Sequence, residues 1–261
     1  MRWGSLEMGL SKKLFAEFLG TAGLLAIIVG SGIMGESLAG GNVAVALLAN
    51  TLATSAGLAF LILSFGEISG AHFNPAVTLT EAWRGNMNWR EVPFYILCQI
   101  LGAFFGVGIA NLMFELPAFS ASTKIRAGNA QFLSEFVATF GLIAVIQTGI
   151  KFRPNLVFLM VAAYITSAYW FTSSTSFANP AVTLARSLSN TFAGINPSNV
   201  PMFLVAQFLG AFVATIIFSW LLRENKENEL IRKRILILCT RNSARSQMAE
   251  GLLKHICQDR I

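Results

Sequence analysis

The sequence predicts an all-α membrane protein: six transmembrane helices plus two re-entrant half-helices in an inverted repeat, with a short β-loop-α tail. Three observations carry that prediction. Six long apolar segments occupy almost everything before residue 223. Three short motifs recur in the same order in the two halves of that region. An Asn-Pro-Ala segment stands between the second and third apolar segments of each half.

The apolar segments run over roughly 14–34, 42–65, 92–114, 130–150, 155–173 and 200–222, and each is near the ~20 residues a helix needs to cross the hydrocarbon core. Of the 261 residues, 54% are hydrophobic and 12% charged, about half the charged share of a soluble domain. The first segment is too long, and followed by too many others, to be a cleaved signal peptide. The formal net charge of +6 raises the question of nucleic acid, and its distribution answers it. Nine of the 19 Lys and Arg lie from Arg223 onward; Arg2, Lys12 and Lys13 precede the first segment. Arg84 and Arg90 lie between the second and third, Lys151 and Arg153 between the fourth and fifth. The alternate connections hold only Lys124, Arg126 and Arg186. Basic residues concentrated on one side place both termini in the cytoplasm, and the membrane is expected to be the inner (plasma) membrane of a bacterium. Topology accounts for the charge, and no nucleic-acid partner is expected. Cys98, Cys239 and Cys257, in a chain facing the cytoplasm, are not expected to form disulfides.

Glu17-Phe18-Leu19-Gly20-Thr21 in the first half returns as Glu135-Phe136-Val137-Ala138-Thr139 in the second. Phe73-Asn74-Pro75-Ala76-Val77-Thr78-Leu79 returns as Ala178-Asn179-Pro180-Ala181-Val182-Thr183-Leu184, and the Gln99–Phe104 segment as Gln207–Phe212. The repeats cover 1–116 and 129–222. Each holds three spans, an odd number, so the second must enter the membrane from the opposite side, with function expected near the midplane.

The duplicated Asn-Pro-Ala segments supply the half-helices. Pro suits the first residue of a helix, where its missing N–H costs nothing, and the preceding Asn can cap it. The residues that follow suit two or three turns, too short to span but able to re-enter the membrane when buried beside a wet cavity. One such segment is usually a plain helix start; two in symmetric positions are a strong signal.

At these residues a family becomes recognisable. Ser69-Gly70-Ala71-His72-Phe73-Asn74-Pro75-Ala76-Val77 resembles the first signature of the aquaporin and aquaglyceroporin (major intrinsic protein) family, and residues 178–181 resemble the second. The resemblance covers about residues 10–222. It implies half-helices meeting at mid-membrane, four protomers per assembly, one pore in each, and no cofactor. Two half-helix N-termini facing each other concentrate partial positive charge at the pore centre. Asn74 and Asn179 would each offer an amide donor to a passing hydroxyl, and the same dipoles repel cations. Glu17 and Glu135 are intramembrane carboxylates that need partners. By resemblance they support the re-entrant loops; the alternative makes them span-end residues reaching water. Gly102, Gly106 and Gly210 are expected to let the third and sixth spans pack closely.

The sequence departs from the family at the filter. Most members place Arg directly after the second Asn-Pro-Ala, at the narrowest point; here that residue is Val182. Counting by the family's spacing, the other filter positions fall on Thr54, Ser167 and Ser176. Water-selective members place an aromatic residue and His there, and glycerol conductors place aromatics and keep the Arg. Thr, Ser, Ser and Val imply a wider, uncharged filter. Arg186, one turn beyond Val182, is expected to pack against protein instead of turning to the lumen. A decayed pore is the alternative reading of Val182.

After a charged linker (223–234), Ile235-Leu236-Ile237-Leu238 reads as a strand leading into Cys239-Thr240-Arg241-Asn242-Ser243-Ala244-Arg245-Ser246 and a helical pattern. Cys239, Asn242, Ser243, Arg245 and Ser246 form a phosphate-binding nest pattern. Segment 235–261 resembles the start of the low-molecular-weight phosphatase fold, most closely its thiol-dependent arsenate reductases. It is read as a truncated, catalytically silent remnant, because the remaining strands and the leaving-group acid are missing.

The expected function is a passive channel for small uncharged solutes, arsenite and other metalloid hydroxides and glycerol-like polyols foremost, in a homotetramer within membrane lipid. The alternatives are a general water and glycerol channel with an incidental tail, and a membrane-anchored arsenate reductase.

Overall fold

The computed structural model describes residues 8–223. Two compact units divide the chain, 1–219 and 220–261. Of the second, only the end of the last helix and the residues up to Arg223 are described. The strand-loop-helix expectation for 235–261, with Cys239, Asn242, Ser243, Arg245 and Ser246, lies outside the described residues, as does the linker beyond its first residue.

The described residues form helices and connections without strands: α1 Leu10–Leu38, α2 Val43–Ser69, α3 Pro75–Trp83, α4 Val92–Met113, α5 Asn129–Phe152, α6 Val157–Phe171, α7 Pro180–Arg186 and α8 Val200–Leu221. Short 3-10 turns, Pro154–Leu156 and Pro197–Asn199, lead into α6 and α8. Six of these elements are long and apolar enough to cross a bilayer: α1, α2, α4, α5, and α6 and α8 with their lead-in turns. Their outer faces carry exposed large apolar side chains, among them Phe15, Leu52, Phe105, Leu133, Leu159 and Ile216. A surface of that kind suits acyl chains, not water.

The helices approach at small residues. A Cβ on Gly102 or Gly106 of α4 would collide with the α1 carbonyls of Phe18 and Ala22. One on Gly210 of α8 would collide with the Phe136 carbonyl of α5. Where lipid supplies no hydrophobic drive, such close backbone contact is a main source of helix association. The two glycine seams occupy equivalent places in the halves, one joining first to third span and the other fourth to sixth.

The short helices α3 and α7, of 9 and 7 residues, start deep inside. Pro75 and Pro180 hold their first positions, and the side chains of Asn74 and Asn179 cap them. A short helix exposes a large share of unpaired backbone N–H groups at its start, so both starts must be satisfied locally.

Candidate functional site

The local sequence Asn-Pro-Ala builds each start in the same way. Asn74 Oδ1 accepts from Ala76 N at 2.9 Å; Asn179 Oδ1 accepts from Ala181 N at 3.0 Å and Val182 N at 3.3 Å. Pro75 and Pro180 need no such partner, and Ala76 and Ala181 are small enough to be fully enclosed. The side-chain amides then cross between halves. Asn74 Nδ2 donates to Ala178 O at 2.8 Å, and Asn179 Nδ2 donates to Phe73 O at 2.7 Å. Each amide nitrogen carries a second N–H, available to whatever passes between the two helix starts.

The backbone leading into these asparagines adopts the left-handed region at residues that have a Cβ, which opposes it. Ala71 and Phe73 have φ of 50° and 47°; Ser176 and Ala178, three and one residues before Asn179, have 49° and 47°. Such conformations cost about 1–3 kcal/mol each unless the surroundings over-determine them. Two buried carboxylates do so. Glu17, with 0% exposure, accepts from His72 N (3.0 Å), Phe73 N (2.8 Å), Ser69 Oγ (2.6 Å) and Gln99 Nε2 (2.8 Å). Glu135, also at 0%, accepts from Phe177 N and Ala178 N at 2.9 Å and from Gln207 Nε2 at 2.7 Å. Gln99 and Gln207 reach on to Thr78 and Thr183, whose hydroxyls donate to the carbonyls of Asn74 and Asn179. Neither carboxylate extends to water, so the span-end alternative fails on geometry.

A cavity of about 600 Å³ passes between the half-helix starts. Lys13, Glu81, Asn88 and Glu91 line it near the far end of α3, and Asn74 and Asn179 line its middle. Thr54, Tyr169, Ser176, Phe177, Val182 and Arg186 line the portion beside α7. Thr54 is buried and accepts from Tyr169 Oη at 3.3 Å. Ser176 also lines the cavity, with its Oγ buried and without a hydrogen-bond partner. Val182, 2% exposed, packs in the central apolar cluster with Phe177 and Ala181.

Ser167 is not on this wall. It is exposed, with its hydroxyl turned back to Tyr164 O at 2.7 Å. Helix phase explains the correction. Val157, Val161, Ile165 and Tyr169 all line the cavity, at four-residue steps along one face of α6. Ser167, two residues past Ile165, lies about 200° round the helix. The aromatic Tyr169 occupies the wall where a small hydroxyl residue was expected, so the filter is less open than Thr-Ser-Ser-Val implies. The four-residue apolar period ending at Tyr169 was the signal that could have found it.

Arg186 meets its expectation in part. It packs against protein, with its guanidinium 3.4 Å from the centre of the Phe177 ring and its Nε donating to Ala193 O, yet it lines the cavity as well. Arg126, from the connection between α4 and α5, lies 4.9 Å from the Phe177 ring centre. It donates to Gly194 O at 2.9 Å and Ser174 O at 3.0 Å. No group of three or more metal-ligating side chains gathers among the described residues.

A family model described as major intrinsic protein matches residues 5–169 and 154–252. The chain is 51% identical over 217 residues, 83% of it and 93% of the relative, to the aquaglyceroporin AqpS of Rhizobium meliloti (strain 1021). It is 32% identical over 219 residues, 81% of it and 68% of the relative, to the aquaporin NIP2-3 of Zea mays. Among solved structures, the X-ray structure of the aquaglyceroporin from Plasmodium falciparum superimposes with a TM-score of 0.63 at 20% identity. It covers 82% of this chain and 97% of that one.

Proposed function

This chain belongs to the major intrinsic protein family, and from that premise we propose that it conducts small uncharged polyols and metalloid hydroxides, glycerol and arsenite among them. It is an integral membrane channel, not an enzyme. The observation that carries the choice of solute is the wall beside α7. There Val182 stands directly after the second Asn-Pro-Ala, with the hydroxyl-bearing residues Thr54, Ser176 and Tyr169 lining the same cavity. A neutral triol such as As(OH)3 or glycerol presents oxygens on one side and little polarity on the other, which suits hydroxyls facing an aliphatic side chain. Tyr169 adds an aromatic surface for a carbon skeleton, and that feature favours glycerol as the second reading.

At the centre, Asn74 and Asn179 would each lend one N–H to the solute oxygen, and the two helix starts bias the site against cations. Glu17 and Glu135 act as supports for the two loops, not as ligands. Four copies assemble as a homotetramer with a pore in each protomer, in a bacterial inner membrane with both termini in the cytoplasm. Cross-linking in mild detergent that trapped monomers alone would overturn that assembly.

The test is flux of water, glycerol and arsenite into liposomes carrying the purified protein, with Val182→Arg beside the native chain. A guanidinium there adds a rigid fork of donors and fills space. Glycerol and arsenite flux should fall by about tenfold or more, equivalent to ~1.4 kcal/mol at the barrier, while water falls less. Equal loss of all three would mean that position 182 does not select by size. Absence of arsenite flux in the native chain, with glycerol flux intact, would decide for the second reading.

A further inference from the structure

Two arginines near the α7 end of the cavity are buried without a carboxylate. Arg186 is 2% exposed and Arg126 8%, and among the described residues the ion pair within 4.0 Å is Arg84 with Glu81, far along the chain from both. An isolated buried charge is costly, so its environment must hold it. Here the phenyl ring of Phe177 lies against both guanidiniums, at 3.4 Å and 4.9 Å. Backbone carbonyls of Ala193, Gly194 and Ser174 take their N–H groups. The C-terminal end of α7 also favours a cation. Phe177 and Arg186 line the cavity; Arg126 is not among the lining residues.

We propose that Arg186, seated on Phe177, is a second cation-excluding charge, placed in the cavity wall beside α7 and added to the bias of the two helix starts at the centre. The inference rests on the channel reading above and adds a division of labour to it. Val182, Ser176 and Tyr169 set what fits, while the recessed guanidinium of Arg186 sets the sign of charge that is refused. Its Nε is committed to Ala193 O and its face to the ring, so it acts through its field and not as a ligand to the solute's hydroxyls. Arg126 stands behind the same ring and reinforces the field. A charge in a low-dielectric wall acts on a passing ion far more strongly than one in water, whereas a neutral triol is little affected.

The experiment compares native protein, Arg186→Gln, Arg186→Lys and Arg126→Gln in liposomes, with sodium and proton entry read beside water and glycerol flux. Arg186→Gln should raise cation entry by about tenfold or more, the effect of ~1.4 kcal/mol at the barrier, while still conducting water and glycerol. Arg186→Lys should stay tight at neutral pH, and Arg126→Gln should leak less than Arg186→Gln. An Arg186→Gln channel that conducts glycerol and remains as cation-tight as the native chain overturns the inference. Loss of neutral flux in the native chain would instead overturn the channel reading. If Arg186→Gln fails to fold, Arg186→Lys decides through pH, because a buried lysine can lose its charge where arginine does not. Sodium entry through Arg186→Lys should rise on going to alkaline pH, relative to the native chain measured in parallel. The groups facing this site, Arg126, Tyr169, Glu135 and the neighbouring Lys124, are the same in both proteins, so the difference reports position 186. A profile that matches the native one overturns the inference.

Discussion

Lys124 shows how a single side chain can register the charge gathered at the α7 end. Its ammonium donates to Phe192 O at 2.7 Å and lies 4.4 Å from the centre of the Phe192 ring. Burial first, then Arg126 and Arg186, lower its pKa from 10.5 to about 8, with Glu36 opposing. Between about pH 8 and 10.5 the unfolded chain still holds a proton that the native chain has released. Stability therefore rises with pH across that window, and the penalty is present in full below it. Comparing thermal midpoints in detergent from pH 7 to 10.5, the native chain should gain on Lys124→Met as pH rises; parallel curves would show that Lys124 is not strained. Residue positions of this kind were only partly legible in the sequence. Asn74 and Asn179 could be placed because cap and proline chemistry is local and written in three adjacent letters. Ser167 was misplaced because a count along the chain ignores helix phase. Arg186 was set aside because its destination, the Phe177 ring, is a tertiary contact across a loop.

Helices α1 and α4, and equally α5 and α8, are held together by backbone contact at glycine, a feature the repeated Gln-x-x-Gly pattern made readable. What the pattern could not show was which carbonyl each glycine meets, since that depends on crossing geometry. Gly106 lies against Ala22 O with no space for a further carbon. Gly106→Val should therefore push α4 from α1 and lower stability by about 1–3 kcal/mol or more, the range for overpacking. A fall in the thermal midpoint of the detergent-solubilised protein would register it, and an unchanged midpoint would mean the seam can yield. Because α1 carries Glu17 and α4 carries Gln99, the same change should loosen the loop before Asn74. Half-helices α3 and α7 are different in kind. Seven or nine residues cannot hold a helix by propensity, so they exist only because the long helices around them supply buried acceptors and donors.

For the whole molecule, the odd number of spans per half made the inverted repeat legible, and the six spans follow from apolar length alone. The tie at the centre was not legible, since each asparagine amide bonds to a carbonyl about a hundred residues away: Asn74 to Ala178 and Asn179 to Phe73. The repeated loops are thereby latched to each other, and rocking one half against the other would break both latches together. Transporters that alternate between two faces require such rocking. With its hub locked, this protein has no stroke to complete for each molecule carried, so warming should speed passage little more than it thins water. An Arrhenius plot of glycerol entry into liposomes reads that directly, and a slope as steep as a carrier's would mean that the hub turns after all.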